Sequence, residues 1–144
     1  MIQKKVQEKI KEALKAHDEL TLSTMRLLLS ALEYAAIDTP GHVLSEDREI
    51  EIVKREVKKR IEASEALKLA GRIEGSEREL KEAEVLRQFL PEEVSDEKLY
   101  EISEKLIAEG KSSMGEIMKE MKVILGNSMD GKKASVIVST LLNK

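Results

Sequence analysis

The sequence predicts an all-α protein: an N-terminal four-helix bundle over residues 1–92, then a smaller three-helix bundle over residues 93–144. Three observations carry this. Apolar positions recur at helical spacing along nearly the whole chain. Aromatics, which strands favour together with β-branched residues, number three: Tyr34, Phe89 and Tyr100. Ser, Asp, Gly and Pro punctuate the apolar stripes where helices would start and stop.

The first stripe is Val6, Ile10, Ala13 and Leu14. The second is Leu22, Met25, Leu28, Leu29 and Leu32, with Asp18 or Thr21 as its N-cap. It ends at the turn signal Thr39-Pro40-Gly41. Ser45 opens the longest helix, and Glu46, Asp47 and Glu49 give its first turn the negative charge a helix N-terminus favours. Ile50, Val53, Val57, Ile61 and Leu67 form its stripe, and Gly71 ends it. Ser76-Glu77-Arg78-Glu79 fits a capping box opening a fourth helix, with Leu80, Ala83, Leu86 and Leu90 inward and Pro91 as the stop. The run from Leu90 to Ser95 reads as a domain boundary. Ser95 opens a fifth helix with Leu99, Ile102 and Leu106, closed by Gly110. Ser112 or Ser113 opens a sixth with Met114, Ile117, Met118 and Met121, closed by Gly126. Asp130 caps a seventh with Ala134, Ile137, Val138 and Leu141.

Composition excludes several functions. With no Cys, the chain forms no disulfide scaffold, thiolate zinc site or cysteine nucleophile. Three aromatics are too few for a platform that stacks single-stranded bases. No unbroken apolar run approaches the ~20 residues of a membrane span, and the N-terminus has no apolar signal core. The expectation is a cytoplasmic protein without a membrane partner. Glu, Lys and Arg abound while Asn and Gln are scarce, a bias of proteins from hot environments. The net charge of −3 argues against indiscriminate coating of nucleic acid. Residues 112–144 are the one cationic segment, with five basic and three acidic residues.

Catalytic patterns are absent. Neither His17 nor His42 has a second ligand at metal-binding spacing, and there is no Gly-x-Ser-x-Gly elbow. No catalytic residue, metal, cofactor or small-molecule substrate is expected, and His42 reads as a solvated turn residue. Glu79, Glu82 and Glu84 read as a solvated face, as does the self-paired run Lys54-Arg55 and Lys58-Lys59-Arg60. Gly126 to Lys132 fits seven positions of the phosphate-binding loop Gly-x-x-x-x-Gly-Lys, but Lys133 stands where Ser or Thr must hold magnesium. A helix precedes it where that loop needs a strand, so it reads as a turn between helices. Even so, Gly131, Lys132 and Lys133 mark one helix start, and Lys111, Ser112, Ser113 and Gly115 mark another. Backbone N–H groups and the dipole favour anions there. Two such ends close in space would form a phosphate-binding corner, with Lys119 and Lys122 as further nucleic-acid candidates. Ordinary capping with lysines for solubility is the competing reading. The stripe Met114, Met118 and Met121 suits either core packing or an adaptable protein-docking surface.

Taken together, several motifs resemble the YqeY-like proteins. They are Asp18 with Met25-Arg26-Leu27, Glu56-x-x-Lys59-Arg60 with Glu62-Ala63, Ala70-Gly71-Arg72, and Glu79 and Glu84 leading to Phe89-Leu90-Pro91. Met114-Gly115-Glu116-Ile117-Met118 and Asp130-Gly131-Lys132 follow, with Val138, Leu141 and Leu142 closing the chain. The family is similar to the tail domain of the B subunit of the glutamyl/aspartyl-tRNA amidotransferase. The resemblance implies a four-helix and a three-helix bundle, and a tRNA contact at Lys111 to Gly115 and Gly131 to Lys133. It also brings an association with carbon–nitrogen ligases that use glutamine as nitrogen donor. A chain of 144 residues cannot hold an ATP-dependent amide-transfer core beside this domain. The implied function is therefore a non-catalytic tRNA-binding or amidotransferase-associated accessory protein, with a protein-interaction module as the alternative.

Overall fold

The computed structural model describes residues 1–144. The chain is all-α, as the periodicity predicts. The helices are α1 (Ile2–Ala16), α2 (Glu19–Ile37), α3 (Glu46–Leu69), α4 (Ile73–Arg87), α5 (Asp96–Ala108), α6 (Met114–Leu125) and α7 (Gly131–Leu142). Short 3-10 turns lie at Pro40–His42 and Gly126–Ser128. The chain divides into two compact units, Met1–Leu90 and Pro91–Lys144.

In the first unit, Ile2 and Val6 of α1 join Met25, Leu28, Leu32 and Ala36 of α2, Ile52, Val53 and Val57 of α3, and Ala83 and Leu86 of α4 in one core. Asp18 is the cap of α2, accepting a hydrogen bond from Thr21 N–H at 3.1 Å. A bond from the Thr21 hydroxyl at 2.7 Å, and then that backbone bond, hold the Asp18 carboxyl below its usual range. By length and composition α2 could cross a membrane, although Glu19, Arg26 and Glu33 interrupt its apolar positions. In this unit its Met25, Leu28, Leu32 face lines the core.

Two expectations need correction here. The Ser76 capping box does not form: α4 begins at Ile73, and Ser76 is buried within it. Its hydroxyl hydrogen-bonds the buried Ser64 hydroxyl of α3 at 2.8 Å, a partner no local pattern could announce. Gly75 lies beside this contact, where an added Cβ would come within 3.3 Å of Leu67, so the glycine permits the close approach of α4 to α3. Leu80 points outward and is 46% exposed. Glu49 lies in the first turn of α3, as its position predicts. It is buried, and its Oε2 accepts a bond from Gln3 N–H at 2.8 Å. Met1 gives α1 no side-chain cap, so the α3 carboxylate supplies one.

In the second unit, Leu99, Leu106, Ile117, Met121, Met129, Ala134, Ile137 and Val138 form the core. The buried Ser103 hydroxyl donates to Leu99 O at 2.7 Å and lies 3.4 Å from the Met121 sulfur. Ser95, Ser113 and Asp130 cap α5, α6 and α7. The stripe Met114, Met118 and Met121 is core: Met121 is buried and the other two pack against the same cluster.

Candidate nucleic-acid interface

The two helix starts named by the sequence are both well formed. At α6, Ser113 Oγ accepts from Glu116 N–H at 3.2 Å. Lys111 precedes it, its N–H bonded to Leu106 O at 3.1 Å as the chain leaves α5. At α7, Asp130 Oδ1 accepts from Lys132 N–H at 2.9 Å and Lys133 N–H at 3.3 Å. A carboxylate of the chain itself thus occupies the position that a phosphate would take. Lys133 Nζ lies 3.9 Å from Glu93 Oε2.

These starts do not meet in a corner. Val94 N–H bonds Ser128 O at 2.9 Å, and Glu93 pairs with Lys133, so the α7 start sits beside the entry to α5. Lys111, Ser112 and Ser113 follow the exit from α5. The 13 residues between rise about 20 Å.

The outer face of α6 offers a different arrangement. Gly115, Lys119 and Lys122 follow at intervals of four and three, so they share one side of the helix, and all three are exposed. Lys119 and Lys122 lie about 4.5 Å apart along the axis. The ion pairs of this unit are Lys98–Glu101 and Lys133–Glu93, so Lys119, Lys122 and Lys132 face solvent without a carboxylate partner. An added Cβ at Gly115 or Gly131 would meet open space, and neither has a positive φ. Internal packing therefore does not call for glycine at either helix start.

Local patterning missed a charged cluster between α3 and α4. Arg60 Nη1 lies 3.5 Å from Glu79 Oε2 and 3.6 Å from Glu82 Oε2, while Arg78 Nε lies 3.6 Å from Glu82 Oε1. Glu82 is buried, which corrects its reading as part of a solvated face. Burial, and then the Glu79 carboxylate, push its carboxyl above the usual range, against the pull of Arg60 and Arg78. Within the basic run, Lys58 and Lys59 are solvated as expected, pairing with Glu62 and Glu56 on the same helix. The cluster's arginines and carboxylates engage one another, so its chemistry is that of a clamp between helices. His17 and His42 are exposed, left-handed turn residues with φ of 55° and 56°. No group of three or more His, Cys, Asp or Glu side chains is placed to hold a metal ion.

The family model described as Yqey-like protein matches residues 3–142. The chain is also 30% identical over 96 residues to an uncharacterised protein of Schizosaccharomyces pombe, a match covering 66% of this chain and 76% of that one. A match over nearly the whole length makes this protein a member of the YqeY-like family.

Proposed function

We propose that this chain is a non-catalytic accessory protein that binds folded tRNA, alone or in association with a tRNA amidotransferase, in the cytoplasm. Its second unit grips the sugar–phosphate backbone. The observation that carries the reading is the set of exposed lysines without carboxylate partners, Lys119 and Lys122 on one face of α6 and Lys132 at the start of α7. They stand in the one cationic segment of an acidic chain. Glycines stand at both exposed helix starts, where internal packing does not need them, and leave the surface there uncrowded for a bulky backbone to approach. Three aromatics point to reading shape through phosphates instead of stacking bases.

The test is a mobility-shift titration with folded tRNA at low and at physiological salt. Binding at low salt that weakens steeply with salt is expected. Lys119→Glu with Lys122→Glu should abolish it while leaving the helical spectrum intact. Absence of binding at low salt would sink the proposal. A stoichiometric, RNA-free protein partner on co-purification would replace it with the interaction-module reading.

A further inference from the structure

The first unit carries a second surface, on the side of α2 that faces away from its core. Glu19, Leu22, Ser23, Arg26 and Leu27 line a shallow groove of about 540 Å³ there. The core-facing residues Met25, Leu28, Leu32 and Ala36 lie on the opposite side of the helix. Leu27 is 52% exposed, so apolar surface is left open.

The charges at the two ends of the groove indicate what covers it. Glu19 and Arg26 are seven residues apart, about 10.5 Å along the helix. Neither can satisfy itself on α2. The positions three and four away from Arg26 are Leu22, Ser23, Leu29 and Ser30, and those ahead of Glu19 are Leu22 and Ser23. None carries a charge, and no ion pair forms at either residue. A second copy of α2 laid antiparallel, with a two-fold axis passing between Leu22 and Ser23, sets Glu19 of each chain opposite Arg26 of the other. Because a two-fold contact is self-complementary, both pairs form at once. Ser23 stands beside the axis, and its small side chain suits a helix separation of about 8–10 Å. Leu22 and Leu27 then lose water on either side.

We propose that the chain self-associates into a symmetric dimer through antiparallel pairing of its two α2 helices, held in register by reciprocal Glu19–Arg26 ion pairs. A contact between single helices is small beside the roughly 1,600 Å² of a standard interface, so the dimer is weak and concentration-dependent.

Sedimentation of the full chain over a concentration series tests this. Wild type should shift from monomer to dimer. Arg26→Glu alone, or Glu19→Arg alone, places like charges opposite each other twice and should weaken the dimer by about tenfold or more. The double reversal Glu19→Arg/Arg26→Glu should restore wild-type association. Far-UV circular dichroism checks that each variant is folded. As the chain has no cysteine, Ser23→Cys gives a unique thiol beside the axis, and a short bismaleimide should link it into a dimer. A wild type that is monomeric at its highest soluble concentration overturns the proposal. So do single reversals that leave association unchanged, a double reversal that fails to restore it, or a Ser23→Cys chain that does not cross-link.

Discussion

Replacing Arg60 with Met removes the charge at the centre of the α3–α4 clamp and keeps much of the packing of its stem. The Arg60 side chain is 20% exposed, and the carboxylates it would abandon are Glu79 at 22% and Glu82 at 9%. Removing one partner of a fully buried pair costs about 3–5 kcal/mol. Two features reduce that figure. Arg78 still lies 3.6 Å from Glu82, and an orphaned carboxylate can take up a proton instead of remaining charged. The second sets a ceiling. Neutralising a carboxyl of ordinary pKa at pH 7 costs about 3.7 kcal/mol, some 2.7 pH units at 1.36 kcal/mol each. Burial and Glu79 already push Glu82 upward, which lowers the ceiling. The expected loss at pH 7 is therefore about 2 kcal/mol. The sign of the pH dependence follows from the raised carboxyl. The folded chain binds the Glu82 proton more tightly than the unfolded chain, so acidification favours the folded state at this site. Without Arg60 the carboxyl rises further, and the deficit shrinks between pH 7 and pH 5. Urea unfolding followed by circular dichroism at both pH values measures this, with hydrogen exchange in α3 and α4 locating the loss. At a slope of about 1.5 kcal/mol per molar urea, the midpoint at pH 7 falls by a little over 1 M. An unchanged midpoint at pH 7, or a deficit that grows at pH 5, would refute the clamp.

Three further outcomes follow from the same geometry. Glu82→Gln imitates the protonated acid, so it should cost less than Arg60→Met and flatten the wild-type stability profile between pH 5 and pH 7 in the same urea series. Ser76→Ala leaves the buried Ser64 hydroxyl without its partner and should cost about 1–2 kcal/mol in thermal or urea unfolding, while the Ser64→Ala/Ser76→Ala double should cost less than the sum of the singles. In the tRNA titration, three lysine–phosphate contacts should give a slope of log affinity against log salt of about −2 to −3, and each Lys→Ala change at Lys119, Lys122 or Lys132 should reduce its magnitude by about one; a slope near zero would contradict a backbone grip.

What the sequence could reveal depended on how local the determinants were. Six N-cap and helix-end signals are short-range: Asp18, Ser45, Ser95, Ser113 and Asp130 each accept from a backbone N–H two or three residues on, and Gly126 takes a positive φ at the end of α6. Those were legible. Ser76 failed because its hydroxyl bonds a residue 12 positions away, which outweighs a capping pattern that four consecutive residues satisfy on paper. Glu49 takes its place in the first turn of α3, but its carboxylate also serves a helix 46 positions away, which no local pattern announces. Arg60 and Glu82 each sit in a charged run indistinguishable by composition from a solvated face. Glu56-x-x-Lys59-Arg60 and the pair Glu79 and Glu84 each hold one member of the clamp, Arg60 and Glu79, yet neither motif discloses that the two meet across helices. For the candidate interface, residue types were legible but their spacing in space was not. Whether two helix starts meet depends on which end of α5 each adjoins, and that is set by the Val94–Ser128 bond and the Glu93–Lys133 pair.

The separation of those starts changes the physics asked of the second unit. A corner made of two helix N-termini would hold a single phosphate by converging N–H groups, and its strength would lie in hydrogen bonds. Here one start is already answered by Asp130, whose carboxylate takes two of the α7 amides. An incoming phosphate would have to displace it against like-charge repulsion. Lysines on a helix face carry no such competitor. Lys119 and Lys122 project from α6 on long flexible stems, about 4.5 Å apart along the axis, and Lys132 stands at the separate α7 start. Charges so arranged suit several phosphates along a folded backbone better than one anion in a pocket. That favours recognition of an extended polyanion by point charges, with specificity set by the shape that brings its phosphates within reach.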